Sequence, residues 1–189
     1  MGENSISLAI VALMAATVSG CASAPAPMYQ PSKDNIEEIK QIAQPVNISK
    51  FSLRSSDQAK EVISLRAARM VSPYGNSYGE YLENALKLDF SLAGKLSPES
   101  ELRVTGSMTK NDLDASGLNI GTGVAEVAIQ VQNGQRVMLE KKYTITHTWE
   151  SSFMGMEAIP KAASQYPIVI EKLINLIVKD KEFKGVLEK

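Results

Sequence analysis

A single cysteine and a single histidine in 189 residues are too few for a zinc centre of the usual nitrogen and sulfur type, and one thiol cannot form an internal disulfide. No metal or cofactor is expected. Charge of one sign is scarce as well: 20 Lys and Arg stand against 21 Asp and Glu, interleaved along the chain, so the basic stripe of a nucleic-acid-binding surface is missing. Disorder is excluded by composition, since 44% of the residues are hydrophobic and 22% charged, which is ordinary globular usage. No apolar run reaches the roughly 18 residues that a membrane-spanning helix needs. What remains is enough chain for one domain with a real core, at the usual 100 to 200 or so residues per domain.

The one long apolar stretch lies at the start. Ile6 to Val18 (ISLAIVALMAATV) has the length of an export-signal core. It runs into Thr17-Val18-Ser19-Gly20-Cys21, and this sequence resembles the bacterial lipobox: a branched apolar residue, two small residues, then cysteine. Val18 stands where leucine is commonest, and the leader MGENS carries Glu3 and no Lys or Arg. The resemblance implies cleavage between Gly20 and Cys21, with acyl chains on Cys21. Several chains on one residue would hold stably where a single chain holds only marginally. The competing reading is a buried N-terminal helix in which the cysteine is a small hydrophobe. Myristoylation fits poorly, because position six of its pattern is Ile6.

Behind Cys21, Ala22 to Pro27 and then Pro31 read as a spacer of small residues and prolines, semi-extended and too poor in apolar groups to pack. The expected division is therefore a signal segment at 1–20, the lipidated cysteine and spacer at 21–33, and a globular domain at 34–189. Ala22-Ser23 lacks the aspartate that marks inner-membrane retention in lipoproteins, so the resemblance points to an outer-membrane lipoprotein facing the periplasm.

Within the domain, Ile36, Ile39 and Ile42 follow Asp34 at helical spacing, with the aspartate as a capping residue. Val62 to Val71 reads as one strand. Tyr78 to Leu96 is the clearest helix, with Tyr78, Leu82, Leu86, Phe90 and Ala93 on one face, widened by Leu88 and Leu92. Leu102 to Thr109 alternates as a half-buried strand. Two more strands flank Asn133-Gly134, and a three-residue loop, Gln132 to Gly134, is expected because it pairs Ile129 with Val137 and Val127 with Leu139, apolar face on apolar face. Tyr166, Val169, Leu173, Leu176 and Ile177 close the chain as a helical stripe, with Pro167 in the first turn or at a kink.

The expected fold is one α+β domain: a mostly antiparallel sheet of about four strands with helices on one face, in the order β-α-β-β-β-α. This order is similar to the small α/β domain of several envelope lipoproteins, including auxiliary lipoproteins of transport systems and lipopolysaccharide-assembly lipoproteins.

Few residues suggest chemistry. Gly75-Asn76-Ser77-Tyr78-Gly79 is a literal G-x-S-x-G between a strand and a helix, and Asp112, Asp114 and His147 follow in the hydrolase order. Yet Ser77 to Glu80 is also an S-x-x-E capping box, which needs no catalytic explanation. The lone His147 alternates onto the face of Tyr143, Ile145 and Trp149, where a packed histidine is expected. Asp112 to Gly117 imitates half a calcium loop, but Gly123 occupies the position of the bidentate glutamate, so a turn is expected. These features favour a non-catalytic accessory lipoprotein that binds an envelope protein, or a lipid or glycan in transit. The alternative is a lipid-anchored serine hydrolase using Ser77 and His147.

Overall fold

The structure, a computed structural model, describes residues 23–188. Gly20, Cys21 and the expected signal segment lie outside the described residues. In chain order the elements are β1 (Ser23–Pro25), α1 (Lys33–Lys40), β2 (Asn47–Leu53), β3 (Val62–Leu65), β4 (Ala68–Val71), α2 (Tyr78–Leu92), β5 (Leu102–Asp114), β6 (Ile120–Asn133), β7 (Arg136–Glu150), α3 (Gly155–Val178) and α4 (Lys181–Val186).

The main sheet has the order β2-β5-β6-β7. Its long strands are antiparallel, while β2 joins β5 in parallel. Val104, Met108, Val127, Ile129, Val131 and Tyr143 point to one buried face, and α2 and α3 pack against the sheet there. The result is the expected α+β domain with helices on one face. Gly79 lets α2 approach β2 closely, since a Cβ at this position would lie 2.4 Å from the Ser52 carbonyl carbon.

Several expectations are corrected. Val62 to Val71 is a hairpin and not one strand. Arg66, at φ +56°, turns the chain so that Ile63 faces Met70, and the hairpin belongs to a second sheet, β1-β4-β3. The fourth strand of the main sheet is β2, whose alternation is broken by a bulge between Ile48 and Phe51 with Lys50 at φ +58°. In the β6–β7 hairpin the loop is Gly134-Gln135, because Asn133 pairs with Arg136. Gly134 at φ +55° suits the first turn position of a type II′ hairpin. A register shift then leaves Met138 unpaired and sets Val131 against Leu139 and Val127 against Tyr143. Apolar faces still meet, but through a bulge rather than a longer loop.

A second bulge, at Thr109, lets Asn111 and Leu113 face inward, so β5 continues through Asp112 and Asp114 where a turn was expected. Helix α1 begins after Ser32, whose carbonyl accepts from Ile36 N–H at 3.0 Å. Asp34 lies inside the first turn rather than at the cap. Leu88, Leu92 and Leu176, expected on buried stripes, are exposed.

The largest correction concerns the spacer. From Ser23 onward it packs: β1 pairs with the edge of β4, Ala26 N–H donates to the Val71 carbonyl at 2.8 Å, and Ala26 and Tyr29 are buried. Proline tolerates an edge strand, and one aromatic residue supplies the apolar area that its neighbours lack.

Candidate functional site

The residues of the hydrolase reading are not assembled. Ser77 caps α2, with Oγ accepting from Glu80 N–H at 3.4 Å. Its own N–H donates to the Tyr74 carbonyl at 2.8 Å, so only half of the capping box forms. His147 is engaged elsewhere: Gln165 Oε1 lies 2.9 Å from Nε2 and Lys172 Nζ lies 2.9 Å from Nδ1. A ring protonated on Nε2 satisfies both partners. Asp112 pairs with Lys60 at 2.5 Å. Asp114 accepts from Ser116 N–H at 2.8 Å, and Ser116 holds its carboxyl below the usual range.

The feature that stands out is the free edge of β7. As the last strand of its sheet it has β6 on one side and, among the described residues, no strand on the other. At the opposite edge, Glu83 of α2 accepts from Phe51 N–H at 2.9 Å and so partly covers β2. Edge strands are commonly guarded by lysine, proline or a bulge. In β7 such guards gather near the turn, with Met138, Lys141 and Lys142. Tyr143 to Glu150 has none of them, and its run of Thr, Ile and aromatic residues has high strand propensity.

Beside this edge runs a groove between β7 and α3. One part, of about 390 Å³, is lined by Ile145 and Leu176 together with the charged Asp34, Glu171, Lys172 and Lys179. It continues into a second part of about 330 Å³ that shares Leu176 and Lys179 and extends past Tyr143 to Asp180. Lys141 reaches Asp180 at 2.5 Å and Glu182 at 3.3 Å. Burial raises the Asp180 carboxyl, but Lys141 and the N–H groups of the α4 start outweigh it, so the net shift is downward. Asp180 also accepts from Glu182 N–H at 2.7 Å, so one carboxylate caps α4 and ties it to β7.

Beneath the groove lies a buried polar cluster. Tyr29 donates to Asp89 Oδ2 at 2.7 Å, and Asn35 Nδ2 lies 3.2 Å from the same oxygen. Asn175 Nδ2 donates to Asn35 Oδ1 at 2.9 Å. The cluster joins the N-terminal segment, α1, α2 and α3. Asp89 is fully buried, and desolvation pushes its carboxyl up despite the opposing effect of Tyr29, Asn35 and the Ser32 backbone N–H. Sequence reasoning missed the cluster; a lone Asp on an apolar helix face was the only available signal. The free edge was legible only as the absence of a strand after β7.

No protein-family model matches the sequence, and no curated protein sequence matches it significantly. Among solved structures, the chain resembles protein XCC0632 from Xanthomonas campestris, of the DUF330 family. The TM-score is 0.57 at 15% identity, over 87% of this chain and 96% of that one. This likeness is one of fold. Hypothetical protein CT253 from Chlamydia trachomatis aligns at a TM-score of 0.40 and 10% identity, over 71% and 98% of the two chains, too distant to add an argument.

Proposed function

We propose that this chain is a non-catalytic accessory lipoprotein of the bacterial envelope, anchored through Cys21 and facing the periplasm from the outer membrane, which receives an extended segment of an envelope protein along β7. The observation that carries the reading is the unguarded Tyr143 to Glu150 edge with a groove beside it. An added strand would satisfy the outward backbone groups of β7, and its alternate side chains would enter the groove. Ile145 and Leu176 offer an apolar contact there, while Lys172 and Lys179 favour an acidic neighbour.

The test combines two measurements on the full-length chain in intact cells. Photo-crosslinking residues at Thr144, Thr146 and Thr148, on the open sheet face of the edge strand, are expected to capture one envelope protein, while the same residue at Ser107, on that face of the interior strand β5, captures none. Intact mass of the membrane-extracted protein, beside Cys21→Ala, is expected to lack residues 1–20 and to carry acyl chains. Equal capture from the edge strand and the interior strand would overturn the docking edge. An unprocessed, unacylated mass would overturn the anchor.

A further inference from the structure

The end of the domain where the described chain begins carries an unusual concentration of exposed apolar side chains. Leu118 and Ile120 lie between β5 and β6 and at the start of β6, and are 60% and 61% exposed. Phe153, Met154 and Met156 lie between β7 and α3 and in the first turn of α3, at 77%, 57% and 88%. The two loops form one surface. Ser151 N–H donates to the Asn119 carbonyl at 2.8 Å, and Ile120 pairs with Glu150.

Arg66 holds both loops from below. Its guanidinium donates to the carbonyls of Ala115 (2.7 Å) and Gly117 (3.2 Å) in the first, and of Ser152 (2.7 Å) and Phe153 (2.8 Å) in the second. This fork fixes the backbone beneath apolar side chains that the domain itself does not bury. Most large apolar residues among those described are buried, so a cluster held outward by a charged clamp calls for an occupant.

The position of Ser23 indicates which one. Ser23 pairs with Arg69, three residues past the clamping Arg66, and Cys21 precedes Ser23 by two residues. Two residues of chain span at most about 7 Å. Because the segment from Ser23 packs onto β4, almost no spacer separates Cys21 from the folded body. Acyl chains on Cys21 would place this end of the domain, and no other, against the bilayer surface.

We propose that Leu118, Ile120, Phe153, Met154 and Met156 form a membrane-contact surface that inserts among lipid headgroups and acyl chains beside the anchor. The inference rests on acylation of Cys21. It extends that reading by giving the domain a fixed orientation: β6 and β7 rise from the contact, and with 14 residues in β6 the Gly134 hairpin stands roughly 45 Å away at a strand rise of about 3.3 Å per residue. Arg66 is the positioning residue, and the apolar side chains make the contact.

Full-length Met156→Cys and Gln135→Cys chains, extracted with their acyl chains and labelled with a polarity-sensitive thiol fluorophore, test the surface. They are reconstituted in phosphatidylethanolamine and phosphatidylglycerol vesicles carrying brominated acyl chains. Quenching of about twofold or more at position 156, with none at 135, is expected. An acylated chain with no quenching at 156 overturns the membrane contact and leaves the anchor standing. An unacylated mass removes the anchor, and the contact is then read from Cys21→Ala/Met156→Cys on the same vesicles, where quenching upholds it and its absence overturns it. A blue shift at 156 that grows with protein concentration and ignores vesicles assigns the surface to a second copy of the chain, and also overturns the proposal.

Discussion

Replacing Gly79 with alanine sets two effects of opposite sign against each other. Within a helix the change should stabilise by about 1 kcal/mol, since glycine is the poorer helix former. At this position, however, the new Cβ would stand 2.4 Å from the Ser52 carbonyl carbon, 2.6 Å from its Cα and 2.8 Å from the Leu53 nitrogen. Ordinary carbon contacts lie at about 3.5 to 4.0 Å, so α2 must retreat from β2 by roughly 1 Å. Backbone atoms have no rotamer to change. The retreat would drag Tyr78, Leu82, Leu86 and Phe90, all buried, out of register with the core. Overpacking of this kind costs about 1 to 3 kcal/mol and sometimes more.

Because the contact is with immovable backbone, the cost is set at the upper end of that range, about 3 kcal/mol, and we expect a net loss of about 2 kcal/mol for Gly79→Ala, seen as a midpoint lower by about 1 M urea and a melting temperature lower by about 4 to 8 °C. Gly185→Ala is the control. That glycine lies in α4 with nothing within 4 Å of its added Cβ, so the same substitution should stabilise by about 0.5 to 1 kcal/mol. Trp149, the single tryptophan, reports both transitions. If Gly79→Ala proved as stable as the parent or more so, the close approach of α2 to β2 would be wrong. The last glycine of the G-x-S-x-G pattern would then need another explanation.

Arg66→Ala should cost about 2 kcal/mol, because four carbonyls lose a charged donor, and amide exchange should quicken at 115–119 and 151–154. Arg66→Gly should lose less than Arg66→Ala by up to about 1 kcal/mol, since the residue sits at φ +56°; equal losses would refute the backbone part of this account. For Asp89, a native carboxyl pushed above its ordinary value of 3.8 binds its proton more tightly folded than unfolded. Its contribution is therefore fully present below 3.8 and is lost as pH rises through the raised native value. Chemical denaturation across pH should show that decline in the parent and not in Asp89→Asn. Asp89→Ala leaves the Tyr29 hydroxyl without its acceptor, while the Asn35 amide keeps the Glu171 carbonyl at 3.3 Å, and should cost about 2 to 4 kcal/mol at neutral pH.

How far the sequence could be read depended on the range of each interaction. Period-two alternation in β6 and the helical stripe of α3 are set by local backbone sterics, and Ala125, Val127, Ile129, Val131, Tyr166, Val169 and Leu173 are all buried as that pattern requires. The cap at Ser77 was legible for the same reason, since its partner lies three residues away. Bulges at Thr109 and Met138 were not, because a bulge is decided by the strand across the sheet. Nor was the turn at Arg66, whose four carbonyl partners lie 49 to 87 residues away in sequence.

The N-terminal region shows the same division. Its residue types alone pointed to a lipid-anchored cysteine and a spacer, and that expectation of Cys21 stands as a proposal. Whether the spacer would run free could not be read from its prolines, because a free β4 edge and a buried Asp89 waiting for the Tyr29 hydroxyl exist only once the chain has folded. Composition and periodicity determined one α+β domain, its helices and the buried face of its long strands. The tertiary structure decided which described strand was left at an open edge, which apolar loops were held outward and that the chain packs from Ser23 onward, since each of these depends on groups brought together from distant parts of the chain.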